Sequence, residues 1–283
     1  MELQIKEIKK QYGKFQLDVT MEVQPGQITG LVGKNGAGKS TTFKSILGLI
    51  RVEGGEILLD GKPVTTLSNE EKEKIGVVLS NSNFSGWLTI SDIVPVLRSM
   101  YAQFEEDFFL TQCDKMELPM KKPIKEFSTG MAAKLKVLVA ISHKAQFLIL
   151  DEPTSGLDVM ARNEILDLLR DYMTEDNRSI LISSHISSDL ETLCDDLYMI
   201  DDGKIVMHEE TDVLLADYGV LKLSEAQYEK IDKEYLLKIR KDNNTFVCLT
   251  KEKAFYAENY PEAVIEKGNI DDVFAMMIQG EER

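Results

Sequence analysis

The feature that most constrains the fold is a glycine-rich octapeptide between an apolar run and a helical pattern. It consists of Gly33, Lys34, Asn35, Gly36, Ala37, Gly38, Lys39 and Ser40, with Thr41 directly after it. The apolar run 28–32 predicts a strand before the loop, and the apolar spacing over 39–49 predicts a helix after it. Strand, glycine-rich loop and helix in this order are typical of a phosphate-binding loop.

The chemistry of this loop suits a polyphosphate. Glycines let successive backbone N–H groups turn towards the phosphates, and the positive end of the following helix adds attraction. We expect Lys39 to reach the terminal phosphates and Ser40 to ligate Mg²⁺. The loop therefore predicts binding of ATP or GTP, without by itself predicting hydrolysis.

Two carboxylates follow the apolar run 147–150, where an α/β sheet presents its ligand site. Strand alternation predicts that Asp151 and Glu152 point to opposite sides. A hydrolase needs one carboxylate for the metal and another for the attacking water, and we assign Asp151 and Glu152 to these roles. The alternative is a solvated turn before Pro153, which the upstream loop makes the weaker interpretation.

The remaining patterns predict an α/β chain of two domains. Two alternating runs over 3–23 predict an antiparallel β subdomain, and 87–143 is mainly helical, as in an insertion. Strands then alternate with helices over 147–208, which indicates a parallel sheet. We expect a nucleotide-binding domain over 1–216 and a small α+β accessory domain over 217–283.

Composition narrows the possible partners and compartment. The 33 basic and 48 acidic side chains give a net charge of -15, which would repel nucleic acid. No stretch approaches the roughly 18 apolar residues that span a bilayer, and the charged start lacks a signal core. The three cysteines match no disulfide or metal spacing. We therefore expect a cytoplasmic chain unless another protein holds it elsewhere.

A second motif identifies a family resemblance. The segment 127–131 reads Phe-Ser-Thr-Gly-Met and precedes a helix shortly before the acidic strand. There the chain resembles the nucleotide-binding domains of ABC transporters, whose signature is Leu-Ser-Gly-Gly-Gln, and Ser128 and Gly130 match it. The resemblance covers about residues 1–217 and is nearest to bacterial ABC type two exporter ATPases for peptides or drugs, such as exporters of phenol-soluble modulins.

Three further residues occupy positions that matter in that family. Asp158 ends a segment similar to the family's D-loop, His185 follows a strand as the switch histidine does, and Tyr12 resembles the adenine-stacking aromatic. The resemblance implies that His185 bonds the γ-phosphate and steadies the water, and that Asp158 fixes a partner's loop. A packing role is the alternative for Tyr12 and His185, and is our interpretation for His143 and His208.

The resemblance also implies a dimer and a membrane partner. Ser128 and Gly130 would form a second anion site at a helix start, facing the phosphate that Lys39 of another copy holds. The chain has one phosphate-binding loop, so ATP would join two subunits, identical or different, and hydrolysis would release them. An integral membrane subunit would hold this pair at the inner face of the cell membrane.

The chain departs from the family pattern after residue 78. The family places a glutamine there that touches Mg²⁺ and water, whereas alignment puts Ser80 at this position. Either a water bridges Ser80 to the metal, or Asn81 or Asn83 substitutes, or coupling is altered and turnover is slow. The signature is altered too, since Thr129 and Met131 replace a glycine and the glutamine.

The segment 84–100 is unusually apolar, with Trp87, Leu88 and Val94. It lies where the family receives the membrane subunit, although packing within the helical insertion is equally compatible with the pattern. The motifs and the resemblance together predict an ATP-hydrolysing subunit of an ABC transporter that uses ATP and Mg²⁺, and the resemblance alone implies that it is an exporter. The alternatives are a soluble ABC ATPase acting on ribosomes or DNA, and a regulatory module that binds ATP with little turnover.

Overall fold

The protein is represented by a computed structural model that describes residues 1–80 and 82–281. The strands are β1 (Leu3–Tyr12), β2 (Phe15–Val23), β3 (Ile28–Val32), β4 (Gly54–Leu59), β5 (Lys62–Pro63), β6 (Ile75–Val78), β7 (Phe147–Asp151), β8 (Ser179–Ser183), β9 (Asp196–Asp201), β10 (Lys204–Glu210), β11 (Gly219–Ser224), β12 (Leu236–Asp242), β13 (Thr245–Thr250) and β14 (Val264–Lys267). The helices are α1 (Lys39–Ile46), α2 (Asn69–Lys72), α3 (Ile90–Met100), α4 (Glu106–Lys115), α5 (Thr129–Ile141), α6 (Val159–Tyr172), α7 (Ser187–Leu193), α8 (Thr211–Asp217), α9 (Glu225–Lys230), α10 (Lys253–Asn259) and α11 (Ile270–Gln279).

A ten-stranded sheet forms the centre of the molecule, in the order β5-β4-β1-β2-β10-β9-β3-β8-β7-β6. Strands β6, β7, β8, β3 and β9 pair in parallel, and β3, β7 and β8 are buried along their whole length. Continuous apolar runs suit such strands because both of their faces are covered. The predicted α/β core is confirmed.

The predicted antiparallel subdomain is also confirmed. Strand β1 pairs antiparallel with β2 and with β4, and β4 pairs with β5. One shared core cluster includes apolar side chains of β1 and β2 together with Phe43 and Ile46 of α1. The subdomain therefore packs against the helix that follows the phosphate-binding loop.

Three helices, α3, α4 and α5, occupy the region predicted as a helical insertion. Thr89 and Asp92 form a capping box at the start of α3, whose buried face includes Ile93 and Leu97. Helix α5 packs against β6 at Gly76, where a Cβ atom would overlap the carbonyl oxygen of Ala140. The glycine therefore allows α5 to lie directly on the sheet.

A second antiparallel sheet, in the order β12-β13-β11-β14, follows α8. It encloses its own small apolar cluster, which includes Leu221, Cys248 and Tyr256. The predicted domain boundary at 216 falls within α8, and the sheet itself begins at Gly219. The division into two domains stays a prediction. Among the described helices, none combines the length and the apolar character that crossing a bilayer requires.

Candidate nucleotide site

The phosphate-binding loop connects the end of β3 to the start of α1. Gly36 and Gly38 have φ angles of 86° and 121°, conformations that glycine adopts without steric cost. Gly33 lies so close to β9 that a Cβ there would be 2.5 Å from the Ile200 carbonyl oxygen. The loop folds around the ammonium of Lys39, which is buried and donates to the Gly33 carbonyl oxygen at 2.5 Å.

Asp151 ends β7 and is 1% exposed. Its carboxylate accepts three hydroxyl hydrogen bonds, from Ser40 at 2.9 Å, from Ser80 at 3.0 Å and from Ser183 at 2.9 Å. These hydroxyls come from α1, from the segment after β6 and from β8. A carboxylate surrounded by hydroxyl oxygens is a donor set that fits Mg²⁺, which typically takes one or two protein carboxylates together with substrate phosphates. No group of three or more acidic, His or Cys residues forms a metal cluster within the described residues.

Glu152 leaves the strand with a φ of 56°, in the left-handed region. Its carboxylate accepts from His185 twice, from Nδ1 at 2.5 Å and from the backbone N–H at 3.1 Å. Its other oxygen lies 3.5 Å from Lys39 Nζ. The prediction that Asp151 and Glu152 point to opposite sides was wrong, because the left-handed turn at Glu152 brings both carboxylates to one cleft.

This cleft has a volume of about 750 Å³ and brings together most of the predicted site. The predicted residues that line it are Lys34, Asn35, Gly36, Gly38, Lys39, Ser40, Thr41, Ser80, Asp151, Glu152 and His185. Asn83 also lines it, whereas Asn81 lies outside the described residues. Of the aromatic residues in the described ranges, Phe15 lines the cleft and Tyr12 does not, and Tyr12 is 46% exposed. Sequence reasoning missed Phe15, although it lies just after the hairpin turn that suggested Tyr12.

The predicted second anion site lies at the start of α5. Ser128 caps this helix by accepting from the Met131 N–H at 3.2 Å, and Asp158 caps α6 by accepting from the Ala161 N–H at 2.9 Å. A Cβ at Gly130 would be 3.0 Å from the Cβ of Ala161, so the two helix starts are adjacent. Ser128, Gly130 and Asp158 therefore lie close together, and none of the three lines the cleft.

A buried network that the sequence did not reveal holds the segment after Glu152 against two helices. Asp189 of α7 is fully buried and accepts from Thr154 at 2.7 Å and from the guanidinium of Arg162. Arg162 also donates to Ser188 at 2.6 Å. The network joins the segment after Glu152, helix α6 and helix α7. Its charges lie far apart in sequence, and no local pattern marks them as partners.

The apolar segment after Ser80 divides into buried and exposed parts. Val94 is buried within α3, whereas the Trp87 side chain is 77% exposed. The ammonium of Lys125 lies 3.4 Å from the centre of the Trp87 ring, a cation–π contact. Val96 and Met100 on α3 are also exposed. Packing within the insertion therefore accounts for Val94 and leaves the Trp87 side chain exposed, and docking of a membrane subunit stays a prediction.

Comparisons with known proteins agree with this geometry. The family model described as ABC transporter matches residues 17–155. The ABC transporter ATP-binding protein YtrB of Bacillus subtilis is 28% identical over 88% of this chain and 82% of its own length. The lantibiotic transport ATP-binding protein SrtF of Streptococcus pyogenes is 34% identical over 74% of this chain and 91% of its own length.

A solved structure of the ATP-binding subunit of an ABC transporter superposes with a TM-score of 0.67. It is 26% identical, and the match covers 76% of this chain and 92% of that one. The predicted P-loop fold and the predicted family are therefore confirmed. The chain belongs to the ABC transporter ATP-binding proteins, the subunits that bind and hydrolyse ATP for a transporter.

Proposed function

We propose that ATP binds in the cleft with its phosphates in the loop 33–41. The Lys39 ammonium would contact the terminal phosphates, because it already lies at the centre of the loop. Ser40 and Asp151 would hold Mg²⁺, with the Ser80 hydroxyl 3.0 Å from the same carboxylate. When bound, the metal would neutralise charge on the phosphates. A serine in place of glutamine thus still supplies an oxygen to this region.

The observation that best supports hydrolysis is the placement of Glu152. Its carboxylate faces the cleft between Lys39 Nζ and the imidazole of His185. A general base has to lie near the terminal phosphate and keep a fixed orientation, and these two contacts fix it. We assign Glu152 to accept the proton of the attacking water and His185 to orient Glu152 and the γ-phosphate.

A second ATP-binding subunit would complete the site. Ser128 and Gly130 lie at the start of α5, and Asp158 lies beside them at the start of α6. Val159 and Met160, which follow Asp158, are 68% and 73% exposed. A second copy would bury these exposed apolar side chains. It would also bring its own bound phosphate to the anion site formed by Ser128 and Gly130.

The surface around Trp87 would receive an integral membrane subunit. Trp87, Val96 and Met100 expose apolar area on the helical insertion. We propose that such a subunit holds the chain at the cytoplasmic face of the membrane, and that ATP binding and hydrolysis rearrange it. Export is the direction we favour, because of the resemblance to exporter ATPases and the 34% identity with a lantibiotic transport protein.

The test is a steady-state ATPase assay of the purified chain and its Glu152→Gln variant with Mg²⁺. We expect the variant to bind ATP while its turnover falls about 100- to 10,000-fold, the usual contribution of a general base. Glu258→Gln, on the exposed face of α10, is the matched control. Equal turnover of wild type and Glu152→Gln would refute our assignment of the base. Binding without turnover in both would favour the regulatory module.

A further inference from the structure

Helix α5 presents one of its faces to the nucleotide cleft of its own chain. Thr129, Ala132, Ala133 and Lys136 all line the cleft. Their spacing of three, four and seven residues places them on one side of the helix. Three of these side chains are short, so Lys136 is the long polar group that this helix directs towards the cleft.

The charge of Lys136 is not balanced by a neighbour. It makes no salt bridge or hydrogen bond within residues 1–80 and 82–281, whereas Lys134 on the same helix pairs with Glu164. Partial burial lowers the pKa of Lys136, because the charged form loses hydration there. An unpaired cation in a partly dehydrated position beside a phosphate-binding loop is suited to an anionic ligand.

Lys136 also lines a second, smaller cavity beside the nucleotide cleft. This cavity, of about 190 Å³, is shared with Asn83, Phe84, Gly86 and Lys125. Asn83, Ala132 and Lys136 line both cavities. Lys136 therefore lies between the nucleotide cleft and the segment that contains Trp87.

Backbone hydrogen bonds connect that segment to the approach to α5. The Lys125 N–H donates to the Gly86 carbonyl at 2.9 Å, and the Ile124 N–H donates to the Leu88 carbonyl at 2.9 Å. Trp87 lies between these two bonds and stacks under the Lys125 ammonium. A displacement of α5 would thus move the environment of Trp87.

We propose that Lys136 binds a terminal phosphate oxygen of ATP held in the same chain and thereby links the nucleotide to the segment 83–88. This inference rests on the proposed function of the cleft. Ser80 is short and its hydroxyl is engaged with Asp151, so Ser80 is not suited to make this link itself. Lys136 supplies it from the opposite wall. ADP lacks the γ-phosphate and would engage Lys136 less.

The experiment uses Trp87, the single tryptophan of the chain, as a fluorescent reporter. The purified full-length chain is titrated with the non-hydrolysable analogue AMP-PNP and with ADP, both with Mg²⁺. Binding is measured separately by calorimetry. The variants are Lys136→Met and Lys136→Arg, and Lys115→Met on the exposed surface of α4 is the matched control.

We expect AMP-PNP to change Trp87 emission in the wild type, in Lys136→Arg and in the control. In Lys136→Met the change should be lost, and the preference for AMP-PNP over ADP should fall about tenfold, the value of one charge-assisted hydrogen bond. The inference would be overturned if Lys136→Met kept both the wild-type emission change and the wild-type preference for AMP-PNP. It would also be overturned if Trp87 emission stayed constant while AMP-PNP bound. A wild type that binds no nucleotide would instead refute the proposed function.

Discussion

Replacement of Arg162 by methionine tests the buried network behind the site. The change keeps the aliphatic stem and removes the guanidinium, so Asp189 loses its charged partner and keeps the Thr154 hydroxyl at 2.7 Å. The Asp189 side chain is 0% exposed and the Arg162 side chain 22%. Removal of one partner from a buried ion pair costs about 3–5 kcal/mol, and the partial exposure of Arg162 favours the lower end.

We therefore expect the free energy of unfolding to fall by about 3 kcal/mol, and the Tm by about 5 °C for a chain of 283 residues. Urea denaturation followed by circular dichroism measures the first and a thermal scan the second. Arg170→Met is the matched control, since Arg170 pairs with Asp167 at the surface, where such pairs contribute about 0–1 kcal/mol. The double variant Arg162→Met with Asp189→Asn should be more stable than Arg162→Met alone. A loss no larger than that of Arg170→Met would refute the reasoning.

Two further changes test the packing of the helical insertion. Gly76→Ala should lower the free energy of unfolding by about 1–3 kcal/mol in urea denaturation, because its Cβ would overlap a carbonyl oxygen of α5. Gly54→Ala, with no contact under 3.7 Å, is the control, and equal effects would contradict the prediction. His143 stacks on Tyr101, and burial lowers its pKa below the usual value of about 6.5. The unfolded chain therefore takes up the proton first, so stability should fall as pH drops from about 7.5 to 5.5, and a His143→Asn variant should show a weaker pH dependence, whereas an unchanged pH dependence would exclude this role.

The parts of the site that the sequence predicted are those formed by contiguous residues. The phosphate-binding loop and the acidic pair each lie within one strand-and-turn unit, so short-range patterns were sufficient to locate them. The parallel core was predictable because its strands are continuous apolar runs. Helix α1 ends at Ile46, earlier than the apolar spacing over 39–49 predicts. Gly48 has a φ of 67°, a conformation that ends a helix. The prediction followed the apolar spacing and gave no weight to this glycine.

The unpredicted parts depend on contacts between distant segments. Ser183 donates to Asp151 across 32 positions of sequence, and Arg162 reaches Asp189 across 27. Neither residue type nor spacing marks such pairs, because the fold alone brings them together. The same holds for Lys136. Its sequence position predicts an ordinary surface residue of a helix, and only the fold shows that it lines the cleft. Phe15 likewise lines the cleft although no sequence pattern marked it, and adenine stacking by Tyr12 stays a prediction.

The backbone of Glu152 bears on how this chain can change. A left-handed conformation at a residue with a side chain costs about 1 kcal/mol, and glycine would adopt it freely. Glycine would remove that strain, but it would also remove the contacts of the carboxylate with Lys39 and His185. Glutamate at this position therefore combines backbone strain with the carboxylate that we assign to the attacking water. A selection for stability that replaced Glu152 by glycine would relieve the strain and remove the base that we propose for hydrolysis.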